Sequence, residues 1–197
     1  FNNETVKATV TGRVTVSYYW IQGIDQSTLF SILLSFVAVT LTAMLVFRSA
    51  ISGLLAALPV GLAILLVYAV MGFTGIPLGV STSMFAAIAI GLSIDFAIHA
   101  LDRLREIGRT KGLDADALID LYPETGRALF FNFVAVAGGF GVLMTSEVPP
   151  LVKFGGLVAV AVSVAFLASV TLLPALVTLF KPRALLAPKP KEKPNAF

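Results

Sequence analysis

Five stretches of this chain, 28–47, 53–71, 80–101, 128–145 and 151–180, stay apolar over roughly the 20 residues that a helix needs to cross a bilayer. Such runs admit few folds. Inside lipid every backbone N–H and C=O must find a partner within the protein, so the expected class is an all-α polytopic membrane protein with five transmembrane helices. Composition agrees, with 57% hydrophobic and 13% charged residues, a balance far from that of a soluble domain. The absence of cysteine from the 197 residues removes disulfides, thiolate metal sites and cysteine nucleophiles from consideration here.

The segments between the runs divide the chain further. Residues 1–27 read as the end of an aqueous domain and its entry into the membrane. Within them Thr5 to Val16 alternates apolar and polar residues, which predicts a short β-strand segment. Tyr18, Tyr19 and Trp20 follow, a pattern suited to the headgroup level. Residues 28–182 form the bundle, with a cytoplasmic loop at 102–126, and 183–197 make a Pro/Lys-rich cytoplasmic tail. Lys and Arg are retained on the cytoplasmic side in short loops. Placing the N-terminal segment outside puts 11 of the 14 Lys and Arg residues inside, and an odd number of spans fits that split. The start at Phe1, with no charged region ahead of an apolar core, reads as a fragment or a processed chain. Leu101, Leu104 and Ile107 carry the third helix past the membrane until Gly108 ends it. Residues 114–121 then predict a short interfacial helix closed by Pro123, and Pro174 predicts a kink in the last span.

Asp95 is the one carboxylate inside the five runs. An ionisable group at membrane depth costs about 2.5 to 3.5 kcal/mol on insertion scales, and such residues mark proton, ion or substrate paths. Low-dielectric surroundings disfavour the charged form of a carboxyl group, so it can take up a proton and release it when water or a cation reaches it. His99 lies four residues on, on the same helix face. At the rise of an α-helix Asp95 lies about 10 Å from the cytoplasmic boundary, and Asn132 on the fourth helix about 7 to 8 Å. Asp95, His99 and Asn132 are therefore the candidate proton relay. Plainer readings stand beside this one: Asp95 as a packing hydrogen bond, His99 reaching towards the interface, Asn132 as interhelical glue. Gly91, Gly138 and Gly139, with Gly141, are candidates for close helix packing or for a hinge.

Several enzyme classes fail on spacing. One His cannot supply an H-E-x-x-H zinc pair, Gly91-Leu92-Ser93-Ile94-Asp95 does not match a G-x-S-x-G elbow, and a lone membrane carboxylate cannot form an aspartyl dyad. No phosphate-cradling loop or nucleic-acid motif is present, so neither an enzyme nor a cofactor or metal is expected.

The run Gly91-Leu-Ser-Ile-Asp95-Phe-Ala-Ile-His99-Ala-Leu-Asp-Arg103-Leu-Arg105-Glu106 resembles the G-x-x-x-D-[YF] helix and arginine-rich turn of the RND superfamily. The resemblance is to its MMPL-like exporters, related to hopanoid and mycobacterial lipid transporters and to Patched and sterol-sensing proteins. Val46-Phe-Arg48-Ser, Thr125-Gly-Arg127-Ala-Leu-Phe-Phe-Asn132, Pro149-Pro150-Leu-Val-Lys-Phe154-Gly-Gly and Thr171-Leu-Leu-Pro174-Ala-Leu agree in order. The resemblance implies two six-helix halves, each with a periplasmic domain after its first helix, of which this chain holds the last five helices. It implies that Asp95 carries protons while hydrophobic or lipidic molecules are exported across a bacterial inner membrane. Phe96 departs from the Tyr of many lipid exporters and removes a hydroxyl from any relay. Expected partners are membrane lipids, a hydrophobic substrate, protons, the missing N-terminal half, and a homo-oligomer or accessory membrane proteins. The alternative function is a lipid-binding, sterol-sensing-like sensor or accessory subunit that transports nothing.

Overall fold

The computed structural model describes residues 13–76, 80–110 and 119–180. Its helices are α1 (Arg13–Phe47), α2 (Ala50–Thr74), α3 (Val80–Thr110), α4 (Arg127–Val142), α5 (Pro149–Val170) and α6 (Leu172–Phe180). Five helical stretches are long and apolar enough to cross a membrane: Thr28–Phe47, Ala50–Thr74, Met84–Thr110, Ile119–Thr145 and Pro149–Phe180. All described elements are helical, as continuous apolar runs in lipid require.

The expected strand is not supported. Residues 5–12 lie outside the described residues, and Arg13 to Val16 open α1 instead. Four alternating residues adjoining a long apolar helix gain more by extending its ladder of backbone bonds than by forming an unpaired strand.

The α1–α2 turn is two residues long. Arg48 takes a left-handed backbone conformation, φ 49°, and Ser49 caps α2 by accepting from the Ser52 N–H at 3.5 Å. Gly53 lets the two helices approach closely, because a Cβ there would overlap Met44, including its backbone. At its far end α2 stops at Gly75, φ 67°, whose N–H returns to the Met71 carbonyl. Pro59, inside α2, is buried.

α3 runs through Gly108 to Thr110, two residues beyond the expected stop. Leu101, Leu104 and Ile107 are buried against Phe47, Leu121, Leu173 and Val177, and that packing outweighs the helix cost of one glycine, about 1 kcal/mol. The expected helix at 114–121 is described only from Ile119, where a single 3₁₀ turn spans Ile119–Leu121. Pro123 does not close a helix. It sits in the first turn of a π-helical segment, Tyr122–Gly126, that leads into α4, where a missing N–H costs nothing.

The last span is interrupted near Pro174. α5 ends at Val170, Thr171 breaks the helix, and α6 continues with Pro174 in its first turn. Pro174 has no N–H for the Val170 carbonyl, and the Tyr122 hydroxyl donates to that oxygen at 3.4 Å.

α5 is the hub, packing against α2, α3 and α4. One core cluster joins α1, α2, α3 and α6 through Ala43, Phe47, Val60, Ile94, Leu101 and Val177. The other joins α2 to α5 through Val67, Phe85, Phe96, Leu129, Val158 and Ala165.

Candidate functional site

The two faces of α3 differ. Ile90, Ile94, Ala97, Leu101 and Leu104 are buried, whereas Gly91, Asp95, His99 and Asp102 lie on an uncovered stripe. The stripe follows from helical spacing, since residues three or four apart share a face. Phe96, next in sequence to Asp95, turns the other way and is 1% exposed. Its ring meets Phe166 of α5 edge-on, with centroids 5.9 Å apart, and Phe166 stacks on Phe133 of α4 at 4.7 Å. Position 96 thus belongs to the aromatic seam between helices, not to the stripe.

α3 and α4 both lean on α5 rather than on each other. A cleft of about 580 Å³ is left between them, lined by His99, Asp102, Arg103, Glu106, Glu124, Thr125, Ala128, Leu129 and Asn132. Two of the three expected relay residues, His99 and Asn132, therefore meet in one space. Asp95 is not part of its lining; it stands one turn from His99 along the same stripe. Among the described residues Asp95, His99 and Asn132 make no hydrogen bond or ion pair with one another or with any other side chain. The site is polar, open and unfilled by protein partners.

Below His99 the cleft is organised by Arg103. Its guanidinium donates to Glu106 at 2.6 Å, one turn along α3, and lies 3.4 Å from Glu124 of the π-helical segment. A second cleft of about 470 Å³ adjoins, lined by Arg103, Glu106, Ile107, Thr110, Asp120, Pro123 and Glu124. This ion group is only half visible in the sequence. Its signal was the (i, i+3) spacing of Arg103 and Glu106; nothing local pairs Arg103 with Glu124.

The glycines separate by environment. A Cβ at Gly91, Gly138, Gly139 or Gly141 would meet nothing within 4 Å, so these residues make no close helix contact among the described residues. Close approach occurs at Gly53 and at Gly155, where a Cβ would lie 2.5 Å from the Phe140 carbonyl oxygen and 2.6 Å from Leu143 Cβ.

Comparison with known proteins places this arrangement. A Methanocaldococcus jannaschii protein named as a membrane protein, MJ1562, is 29% identical over 155 residues, 78% of this chain and 40% of that protein. A Mycobacterium bovis protein named as a transport protein, MmpL8, is 26% identical over 151 residues, 74% of this chain and 14% of its own length. A Mycobacterium leprae protein with a similar name, MmpL10, is 26% identical over 167 residues, 78% of this chain and 16% of its own. The matched stretch is thus under half of each relative's length. No solved structure is similar at a significant level. The family model described as MMPL matches residues 2–197, and with five membrane-length apolar helices in agreement, the chain belongs to the MMPL family.

Proposed function

We propose that the chain is the C-terminal membrane half of an RND/MMPL-type transporter that uses the proton-motive force to export hydrophobic or lipidic molecules. Asp95 is its intramembrane proton-relay carboxylate, with His99 and Asn132 as its polar neighbours. The observation that carries the reading is a carboxylate on an uncovered stripe of an apolar helix, one turn from a residue that lines a polar cleft. A membrane carboxylate without a protein partner is costly to keep, and a function that needs it to gain and lose a proton accounts for its presence. Family membership and relatives named as transport proteins support the same reading.

On this reading the protein lies in a bacterial cytoplasmic membrane, with the N-terminal segment periplasmic and the Arg103 end of the bundle and the C-terminus cytoplasmic. The Lys and Arg distribution supports that orientation. The uncovered α3 stripe meets the other half of the transporter, and lipids, substrate and any accessory protein or second copy engage surfaces outside the core. Gly91, Gly138 and Gly139 lie on open faces, where close approach of the other half requires small residues.

The test is Asp95→Asn in the full-length protein, with substrate export and substrate-dependent proton flux measured in vesicles. Export is expected to stop at unchanged expression and folding. Export at the parent rate would reject the relay; a parent protein that binds lipid in the same vesicles but exports none would favour the non-transporting lipid sensor.

A further inference from the structure

The two clefts share one wall. Arg103, Glu106 and Glu124 line both, and they are the residues joined by the two ion pairs. The inner cleft reaches His99 and Asn132, and the outer one is bounded by Thr110, Asp120 and Pro123. The wall belongs to two independent elements: Arg103 and Glu106 stand on α3, whereas Glu124 stands on the π-helical segment. That segment is also tied to the last span through the Tyr122 hydroxyl and the Val170 carbonyl. The Arg103 to Glu124 contact is the longer of the two pairs, and the Glu124 side chain is 80% exposed. Such a pair is worth no more than about 1 kcal/mol, so it opens and closes readily.

From this geometry we infer that the inner cleft is the cytoplasmic leg of the proton path from Asp95, and that the Arg103–Glu124 pair is its gate. The inference rests on the Asp95 reading above. In the exit step the protonated Asp95 carboxyl group gives its proton to water on the stripe between it and His99, at the inner end of the cleft. Neutral His99 accepts it on one ring nitrogen and releases one from the other. Glu106 or Glu124 accepts it as a carboxylate and loses it to bulk water, so one proton moves and Asp95 is left as an anion. With Arg103 held between both glutamates, one cation shared by two carboxylates, the wall between the two clefts is closed and keeps one net negative charge. When Glu124 withdraws, the two clefts join and a carboxylate is freed to take the proton. Tyr122 lets a movement of the last span reach that gate.

The absence of cysteine from these 197 residues gives a direct test. In the full-length transporter, freed of any other cysteine, Ala128→Cys, Asn132→Cys and Val134→Cys are made singly. They are exposed in inside-out vesicles to the membrane-impermeant reagent 2-(trimethylammonium)ethyl methanethiosulfonate. Ala128 and Asn132 line the inner cleft and Val134 does not, so the first two are expected to react at least about tenfold faster, thiolate formation being suppressed away from water. Adding Glu124→Gln is expected to raise the rate at Asn132→Cys by about fivefold, the limit for losing one exposed pair. Glu124→Asp, which keeps the charge, is expected to retain most of the parent behaviour.

Equal rates at Asn132→Cys and Val134→Cys would overturn the water-filled leg, and a rate unmoved by Glu124→Gln would overturn the gate. If Asp95→Asn stops export while the cleft cysteines stay unreactive, the inference fails and the Asp95 reading survives. If Asp95→Asn exports normally while they react, both fail, because there is then no proton for the cleft to carry.

Discussion

Gly155→Ala measures how tightly α5 is seated. The added methyl would lie 2.5 Å from the Phe140 carbonyl oxygen and 2.6 Å from Leu143 Cβ, against an ordinary contact of about 3.5 Å or more. Neither obstacle is the far end of a flexible side chain, so the helix pair must part by about 1 Å. Overpacking of that kind costs about 1 to 3 kcal/mol. Alanine returns up to about 1 kcal/mol through its better helix propensity. The two obstacles are both rigid, which puts the cost at the upper end and leaves a net loss of about 1 to 2 kcal/mol. Gly72 is the control, since a Cβ there meets nothing and only the propensity gain applies. Thermal unfolding of the purified full-length variants in detergent, followed by circular dichroism, should lower the midpoint for Gly155→Ala by about 2 to 8 °C. Gly72→Ala should hold or raise it. A Gly155→Ala protein as stable as the Gly72→Ala protein would refute the close approach of α5 to the C-terminal end of α4.

Removing the Phe96 ring, 1% exposed and set against Phe166, by Phe96→Ala is expected to cost about 3 to 5 kcal/mol, read by the same melt. Tyr122→Phe removes the hydrogen bond to the Val170 carbonyl and should cost about 0.5 to 1.5 kcal/mol in the parent. In a Pro174→Ala background, where a backbone N–H becomes available to that carbonyl, it should cost almost nothing; a double-mutant cycle without coupling would disprove the substitution of one donor by the other. Arg48→Gly, at the left-handed turn position, should raise stability by about 1 kcal/mol in a denaturant titration.

The spans were legible because a membrane imposes one rule on every residue of a run, and five long apolar stretches leave little choice. Ends were harder. Gly108 and Pro123 carry the usual stop signals, yet Ile107 and Leu121 are buried in one cluster, and that tertiary contact lies outside any local pattern. Helical rise alone put Asp95 and Asn132 at similar depth, yet it is His99, one turn from Asp95, that lines a cleft with Asn132. Which way each glycine faces did not follow. Gly53 and Gly155 make the close contacts while the Gly138–Gly139 pair meets open space, because facing depends on helix rotation, which a run of uniformly apolar residues does not encode. The Arg103–Glu124 pair joins residues 21 apart, across a loop whose path sequence cannot trace.

One stripe of α5 is smooth. Along the sides where α2 and α3 rest it presents Ala161, Val162, Ala165 and Ala168, side chains too short to lock into a neighbour's grooves. Sliding one helix along such a shaft exchanges few rotamers, in contrast to the meshed leucine ridges of an ordinary bundle. Resistance to an axial stroke of this spindle therefore sits in a few large contacts, the Phe96–Phe166 and Phe133–Phe166 ring pairs and the close seat of Gly155 on Phe140 and Leu143, rather than along the alanine stripe.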